Sequence, residues 1–380
     1  MAKPFDLAVG EWWAATATGN YRISDVYPSP NPGGTQTAII NAWSGAAFDS
    51  SRNDILVCNG GHTDYAGNEV YAYNVDPLDG NFLQWRRKSF PSTRDDGTNV
   101  EEYSGDGSPS ARHTYNSISY DPVSDQMFLL PGGYVWGSTG NFSSQLYAFD
   151  CATETPNTAQ GEAGAWTQKT TPASFPQSDS VAPMAVYDSA NEVFVQYCNK
   201  GLATYDPATD TWTNQTSFDD INSTANYGVV YVPGSPPHMV LIGATFTQAK
   251  RLDTFATSDN SVSSGSWGIT GSTAIQDATA PGLIYCTRAN KIFGWAGLLS
   301  GGTDRRDYYE IDYATKVSTL RTGTGDIPTA PNGNGTYSKF VYLGDGLCAV
   351  FNSTTETVYF LRVAESINAP ANNQLSWIRA

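Results

Sequence analysis

Basic residues are scarce in this sequence. Its 380 residues contain 21 Lys and Arg against 37 Asp and Glu, which gives a formal net charge of −16. Nucleic acids attract surfaces on which Lys and Arg cluster, so a phosphate backbone would on balance repel a chain with this charge. We therefore expect no nucleic-acid partner.

Long apolar segments and regular cysteine motifs are also absent. Residues 1–19 contain neither a basic stretch leading into an apolar core nor an apolar run of about 18 residues, so we expect no signal peptide and no membrane span. The 5 cysteines are an odd number and include no Cys-X-X-Cys pair, which argues against a disulfide framework and a zinc or redox motif. We expect the chain to fold in a reducing cytoplasm, unless a signal has been removed.

The sequence is rich in Gly and Tyr and contains a repeated pattern of an apolar run, a polar turn and a second apolar run. The six copies are GAAFDSSRNDILVCNGG, NSISYDPVSDQMFLLPGG, MAVYDSANEVFVQYCNKG, GVVYVPGSPPHMVLIG, GLIYCTRANKIFGWAG and KFVYLGDGLCAVFN. Each copy continues with a third strand, clearest in EVYAYNV and YYEID. A fourth strand with a tryptophan follows in all copies except the fifth, which has KVSTLRT; these tryptophans are Trp85, Trp166, Trp212, Trp267 and Trp377.

Four antiparallel strands in a unit of about 40 to 50 residues are typical of a propeller blade. Such a blade has two apolar faces, and stacking blades around an axis buries both. The sequence therefore predicts an all-β, six-bladed propeller, with seven blades as the alternative. We expect residues 1–40 to form an extension that closes the ring beside the C-terminal SWIRA, and residues 41–380 to form a single propeller. The expected blades span residues 44–90, 113–170, 183–216, 226–270, 281–322 and 337–380.

The repeats resemble a known family. An apolar strand that ends in Gly-Gly, as at Gly60–Gly61 and Gly132–Gly133, is followed by a Tyr-rich strand ending near Asp and then by a Trp. This pattern resembles the kelch repeat most closely in the first three copies. The resemblance implies a propeller like the central domain of galactose oxidase. Because kelch proteins include adaptors, oxidases and carbohydrate-active enzymes, it does not specify the chemistry.

Candidate site residues lie on one rim of the predicted ring. In such blades the loop between the second and third strands and the link to the next blade emerge on the same face, which we call the upper face. His62 lies in such a loop and His113 in the link to the second blade, so we expect two of the three histidines to meet there. The other upper-face candidates are Asp64, Tyr65, Arg112, Tyr115, Tyr134, Trp136, Lys200, Lys250, Arg251, Asp304, Arg305 and Arg306.

These residue types suit acid–base chemistry on an acidic glycan. A neutral His can remove the proton α to a uronate carboxyl group, a Tyr can protonate the leaving oxygen, and an Arg can neutralise the carboxylate. The set resembles that of propeller polysaccharide lyases such as ulvan lyases. That resemblance implies His62 or His113 as the base, Tyr65 or Tyr115 as the acid, and a carboxylate clamp. The clamp would be formed by Arg112 with Arg305.

Other interpretations of these residues stay open. The polar residues around His62 can equally shape a tight loop, and Tyr134 and Trp136 can pack the rim. No cysteine lies in an upper-face loop, so we do not expect the crosslinked copper site of galactose oxidase.

The long link of residues 88–112 is strongly acidic. Its carboxylates are candidate Ca²⁺ ligands, although their spacing does not follow an EF-hand loop, and we favour a solvated insertion with no cofactor. These residues are Asp95, Asp96, Glu101, Glu102 and Asp106. The third histidine, His238, is expected in a surface turn on the opposite, lower face.

Composition also suggests a setting for the protein. Low Lys content and many Gly, Ser, Thr, Asn and Tyr residues, without a signal peptide, are typical of bacteriophage virion proteins, which are assembled in the cytoplasm and released by lysis. The chain also resembles phage-borne kelch-like virion proteins. We expect a rigid decoration, fibre or tail-associated module that binds a glycan or another virion protein, with oligomerisation through particle symmetry. The alternative is a polysaccharide lyase or another carbohydrate-active enzyme that acts on acidic glycans.

Overall fold

A computed structural model describes most of the chain. The described residues are 4–15, 19–93, 101–103, 105–138, 140–152, 165–172, 183–198, 201–217, 227–234, 236–243, 250–253, 267–297, 304–331 and 333–366, without the side chains of 198, 214–217 and 250–253. In chain order the strands are β1 (Glu11–Ala14), β2 (Ala47–Asp49), β3 (Asp54–Cys58), β4 (Val70–Asn74), β5 (Trp85–Arg87), β6 (Glu102–Tyr103), β7 (Ser108–Pro109), β8 (Ile118–Asp121), β9 (Gln126–Leu129), β10 (Tyr147–Asp150), β11 (Trp166–Gln168), β12 (Met184–Asp188), β13 (Val193–Cys198), β14 (Gly201–Asp206), β15 (Thr211–Ser217), β16 (Tyr227–Val232), β17 (His238–Gly243), β18 (Lys250–Asp253), β19 (Thr270–Gly271), β20 (Gly282–Cys286), β21 (Lys291–Trp295), β22 (Tyr308–Asp312), β23 (Val317–Arg321), β24 (Thr324–Gly325), β25 (Phe340–Gly344), β26 (Leu347–Val350) and β27 (Tyr359–Arg362).

Helices are short and few in the described parts of the chain. One turn of α-helix covers Ala38–Asn41, and the 3₁₀ helices cover Pro4–Asp6, Ile23–Val26, Ala274–Asp277 and Tyr337–Lys339. Among the described residues, no helix is long and apolar enough to span a bilayer.

The strands form antiparallel sheets that follow the predicted repeats. Four sheets consist of consecutive antiparallel strands, namely β2–β5, β8–β11, β12–β15 and β20–β23. A fifth combines β25, β26 and β27 with β1 from the N-terminal region. The sheet β16–β18, at the position of the predicted fourth blade, has three strands within the described residues. Two-residue strands add parallel edges, β19 to β23 and β24 to β1, and β6 pairs with β7.

The first strands of these six sheets surround a common axis. β2 contacts β8, β8 contacts β12, β12 contacts β16, β16 contacts β20, β20 contacts β25, and β25 contacts β2. This closed cycle is the arrangement of a β-propeller, with the first strand of each sheet innermost. The described residues thus form a propeller with five complete four-stranded blades and one sheet in which three strands are described.

The sequence folds in this way because its strands are apolar on both faces. In β3, Ile55 and Val57 pack with the last sheet, whereas Leu56 and Cys58 pack with the second sheet. Alternate side chains of a strand point to opposite faces, so each sheet is covered by both of its neighbours.

The N-terminal segment closes the ring by adding β1 as the outer strand of the last sheet. Trp12, Trp13 and Ala14 pair with residues of β27, and the Trp12 ring lies 5.8 Å from that of Trp295 in the neighbouring sheet. In the described structure β1 therefore belongs to the last sheet. The SWIRA segment lies outside the described residues.

The predicted outer-strand tryptophans are confirmed in three sheets. Trp85, Trp166 and Trp212 lie on β5, β11 and β15, and KVSTLRT supplies β23 without a tryptophan. Trp267 is buried, but it lies just before β19 and not on a strand. Trp377 lies outside the described residues.

Candidate functional site

His62 and His113 meet at the boundary between the first two blades. Their rings are 5.6 Å apart, and the Nε2 atom of His113 lies 2.8 Å from the Oδ2 atom of Asp64. His113 is 2% exposed, whereas the Asp64 side chain is 37% exposed. The sequence placed these three side chains on one rim, and the structure brings them into contact.

The backbone fixes this meeting of two loops. The amides of His62 and His113 both donate to the carbonyl oxygen of Tyr134, at 3.2 and 3.1 Å. Gly61 adopts a left-handed φ of 52°, and a Cβ atom there would overlap the main chain of Arg112 and His113. His62 also has a left-handed φ, of 51°, which is uncommon for a residue with a side chain. The loop is therefore held in a conformation that presents the His62 ring beside His113.

Aromatic rings surround the histidines. The Trp43 ring lies 4.8 Å from His113, and the Tyr134 ring lies 4.9 Å from His62. Trp43, His62 and Tyr134 are each partly exposed. These three partly exposed rings make the outer part of the site.

Tyr115 lies beneath them. Its hydroxyl oxygen is 3.4 Å from the Nδ1 atom of His113, and its ring is 5.7 Å from that of Tyr337. Trp43 and Tyr337 were not among the sequence candidates. Like Tyr115, each lies three or four positions before a first strand and has a left-handed φ, so alignment of the repeat starts could have identified them.

Burial shifts the pKa of His113 and that of Tyr115 in opposite directions. Burial lowers the pKa of His113 despite the opposing effect of the nearby Asp64 carboxylate, so the imidazole is neutral at pH 7. Burial raises the pKa of Tyr115 far above its ordinary value and keeps its hydroxyl protonated. The cluster therefore offers a neutral imidazole flanked by a carboxylate and a hydroxyl group.

One group of three side chains that could bind a metal ion is found within the described residues, and it consists of His62, Asp64 and His113. Their ligand atoms all lie within 4.8 Å of one another. Two imidazoles and a carboxylate are ligands that suit first-row transition metals. The group therefore has the composition of a metal site.

Tyr65 and Arg112 do not take the predicted places in this cluster. The Tyr65 hydroxyl donates to the Glu69 carboxylate at 2.6 Å within the hydrophobic core, and burial raises the pKa of Tyr65 far above its ordinary value. Arg112 is 0% exposed; its Nη1 donates to the carbonyl of Gln145, and its guanidinium lies over the ring of Tyr147. Both side chains are enclosed, which weighs against the acid role of Tyr65 and the clamp role of Arg112, and these roles stay predictions.

The structure describes part of the predicted cationic rim, and the contacts given for Arg305 and Arg306 lie within their own loop and with the N-terminal strand. Arg306 forms a 2.5 Å ion pair with Asp304, and its backbone carbonyl accepts a hydrogen bond from Trp12 on the outer strand of the last sheet. Arg305 lies beside it in the loop between β21 and β22, and its carbonyl accepts from Trp295. Trp136 is partly buried in the loop after Tyr134. Lys200 and the side chains of Lys250 and Arg251 lie outside the described residues.

The described carboxylates of the acidic link accept hydrogen bonds from the protein. Glu101 accepts a hydrogen bond from the amide of Ser144, Glu102 accepts one from the Tyr147 hydroxyl, and Asp106 accepts one from the amide of Ser108. These three carboxylates do not converge in the described structure, whereas Asp95 and Asp96 fall outside it. The alternative Ca²⁺ site has no support from the residues that are described.

The third histidine is not in a surface turn. His238 is buried at the start of β17, and the Tyr313 hydroxyl lies 2.6 Å from its Nε2 atom. The expectation of a surface turn at this position is wrong, because β17 already begins at His238, which pairs with Val232 in the sheet.

Comparison with protein-family models finds no match for this chain, and comparison with curated proteins finds none either. The β-propeller architecture rests on the structure itself. The resemblance to kelch repeats is a resemblance of the sequence pattern only.

Proposed function

We propose that this protein is a rigid recognition module that binds a glycan on the upper face of its propeller. The observation that carries the proposal is the set of partly exposed rings of Trp43, His62 and Tyr134 beside the contact between buried His113 and partly exposed Asp64. Ligand sites commonly combine aromatic surfaces with a few oriented polar groups, and sugars offer both apolar ring faces and hydroxyls to such a site.

The rigidity of the site supports binding of a ligand without large rearrangement. The loops that carry the histidines are bonded to each other through the carbonyl of Tyr134, and both rest on sheets that are buried on two faces. A site held in place before binding loses little conformational entropy when the ligand arrives.

We further propose that the module is displayed on a bacteriophage virion, as a decoration, fibre or tail-associated protein of the kelch-like kind. The support is compositional: an acidic chain with 15% charged residues and 36 glycines, folded into a closed all-β ring. Cofractionation of the chain with purified particles in a density gradient is the expected result. Recovery of all of the chain in the particle-free fraction would contradict this location.

A β-eliminating lyase is the second candidate, since His113 has the Tyr115 hydroxyl 3.4 Å from its ring and could act as a base. The enclosure of Arg112 and Tyr65 weighs against it.

One panel experiment compares the two candidates. The purified chain is applied to immobilised neutral and uronate-containing glycans, and the absorbance of unsaturated products is followed in solution with the same uronates. The recognition proposal expects retention on at least one glycan and no absorbance change. Absence of retention on every glycan would contradict it, and an absorbance increase that disappears in His113→Ala would establish the lyase.

A further inference from the structure

We propose that His62, Asp64 and His113 bind a divalent transition-metal ion, for which Zn²⁺ is the best match. Their ligand atoms come from two loops of neighbouring blades and lie within 4.8 Å of one another. Two imidazole nitrogens and one carboxylate oxygen form the ligand set of many open zinc sites, in which a fourth position is left for water or a ligand oxygen. The inference is independent of glycan recognition.

The distances allow the ion to enter with small movements. Zn²⁺ binds nitrogen at about 2.0–2.1 Å and carboxylate oxygen at about 2.0–2.2 Å, so two ligand atoms of one ion lie at most about 4 Å apart. The Nε2 atom of His113 and the Oδ2 atom of Asp64, at 2.8 Å, already satisfy this limit. The other ligand atoms, within 4.8 Å of one another, must approach by up to about 1 Å to reach this limit. His62 and Asp64 are partly exposed, so rotation of their side chains can provide this movement without disturbing the core.

A second observation comes from the other side of the His113 ring. Metal-bound histidines usually donate their second ring N–H to a hydrogen-bond acceptor, which fixes the tautomer and the ring orientation. The Nδ1 atom of His113 lies 3.4 Å from the Tyr115 hydroxyl oxygen, so Nδ1–H can donate there while the Nε2 lone pair faces Asp64 and the ion. Tyr115 is thereby assigned as a positioning residue.

The backbone around the cluster is consistent with a built site. A side chain at position 61 would overlap the main chain of Arg112 and His113, so only glycine fits there. The next residue, His62, adopts a left-handed φ of 51°. Strained backbone conformations of this kind persist where the surrounding structure holds them, and they concentrate at functional sites. In this conformation the His62 ring lies 5.6 Å from that of His113.

The test uses the full chain, freed of metal with a chelator and titrated calorimetrically with ZnCl₂ in the absence of any glycan. His62→Ala and Asp64→Asn each remove one ligand. Asp79→Asn is the matched control, because Asp79 is an exposed carboxylate in the turn between β4 and β5 and lies outside the cluster. Thermal unfolding of each metal-free variant verifies that it is folded before the titration.

We expect one Zn²⁺ per chain for the wild type and for Asp79→Asn, and at least tenfold weaker binding for the two ligand variants. Tyr115→Phe should weaken binding by about 10- to 100-fold, the usual effect of losing an outer-shell partner, and should alter the visible spectrum of the Co²⁺ complex. Failure of the wild type to bind one equivalent, or undiminished binding in either ligand variant, would overturn the proposal. Neither result depends on glycan binding, so the two proposals can fail separately.

Discussion

The Nε2 atom of His113 lies 2.8 Å from the Oδ2 atom of Asp64, although the two residues are 49 positions apart. The contact crosses the boundary between two blades, since Asp64 belongs to the loop after β3 and His113 to the segment before β8. The candidate site is therefore a product of how two blades pack, and changes at that boundary should alter it.

Gly61 is the residue on which this packing depends most directly. Gly61→Ala should destabilise the protein by about 2–4 kcal/mol, because the new Cβ combines a left-handed φ with overlap of the Arg112 and His113 main chain. Gly80→Ala is the matched control, since a Cβ there meets nothing within 4 Å. Its effect should stay within about 0.5 kcal/mol. Denaturant unfolding measures both, and equal effects of the two substitutions would contradict the account of the loop.

Trp12 tests the closure of the ring. Trp12→Ala should cost about 3–5 kcal/mol, because the side chain is 1% exposed and packs between the last two sheets. Val9→Ala, at a residue that is 43% exposed just before β1, should cost less than about 0.5 kcal/mol. A small effect of Trp12→Ala on the unfolding midpoint would show that β1 is dispensable.

Glu69 should make stability depend on pH in a defined direction. Burial raises the pKa of the Glu69 carboxyl above its ordinary value, so the folded protein holds this proton more tightly than the unfolded chain. Stability is then greatest below the ordinary pKa and falls as pH rises through the folded one. Glu69→Gln keeps the oxygen that accepts from both Tyr65 and Tyr71 and removes the titration.

The measurement is the free energy of unfolding of wild type and Glu69→Gln between pH 4 and pH 7. The free energy of unfolding of Glu69→Gln should increase relative to that of the wild type as pH rises. A difference that stays constant would show that Glu69 has the same pKa in the folded protein and in the unfolded chain. A difference that reverses would show that folding lowers this pKa, and either result would contradict the prediction.

The sequence predicted the repeating strands well because each sheet is apolar on both faces and its turns recur. It predicted that residues 1–40 close the ring, but it did not identify Glu11–Ala14 as the outer strand of the last sheet. Four residues carry too little periodicity, and they pair with a strand almost 350 positions away along the chain. The fourth strand of the sheet β16–β18 stays a prediction.

The site was predicted in part for a similar reason. Blade topology placed His62, Asp64, His113 and Tyr134 on one rim, and they meet there. Topology does not reveal whether a rim side chain points outward. Tyr65, three positions after His62, turns inward to Glu69 instead.

Glycan binding by paired variants tests the central claim most directly. The glycan retained most strongly by the wild type is titrated into wild type, Tyr134→Ala and Tyr21→Ala. Tyr21 is a control because its ring is also partly buried but lies under Arg22, outside the histidine cluster. We predict at least tenfold weaker binding for Tyr134→Ala and unchanged binding for Tyr21→Ala. Equal affinities for all three proteins would contradict recognition at this site.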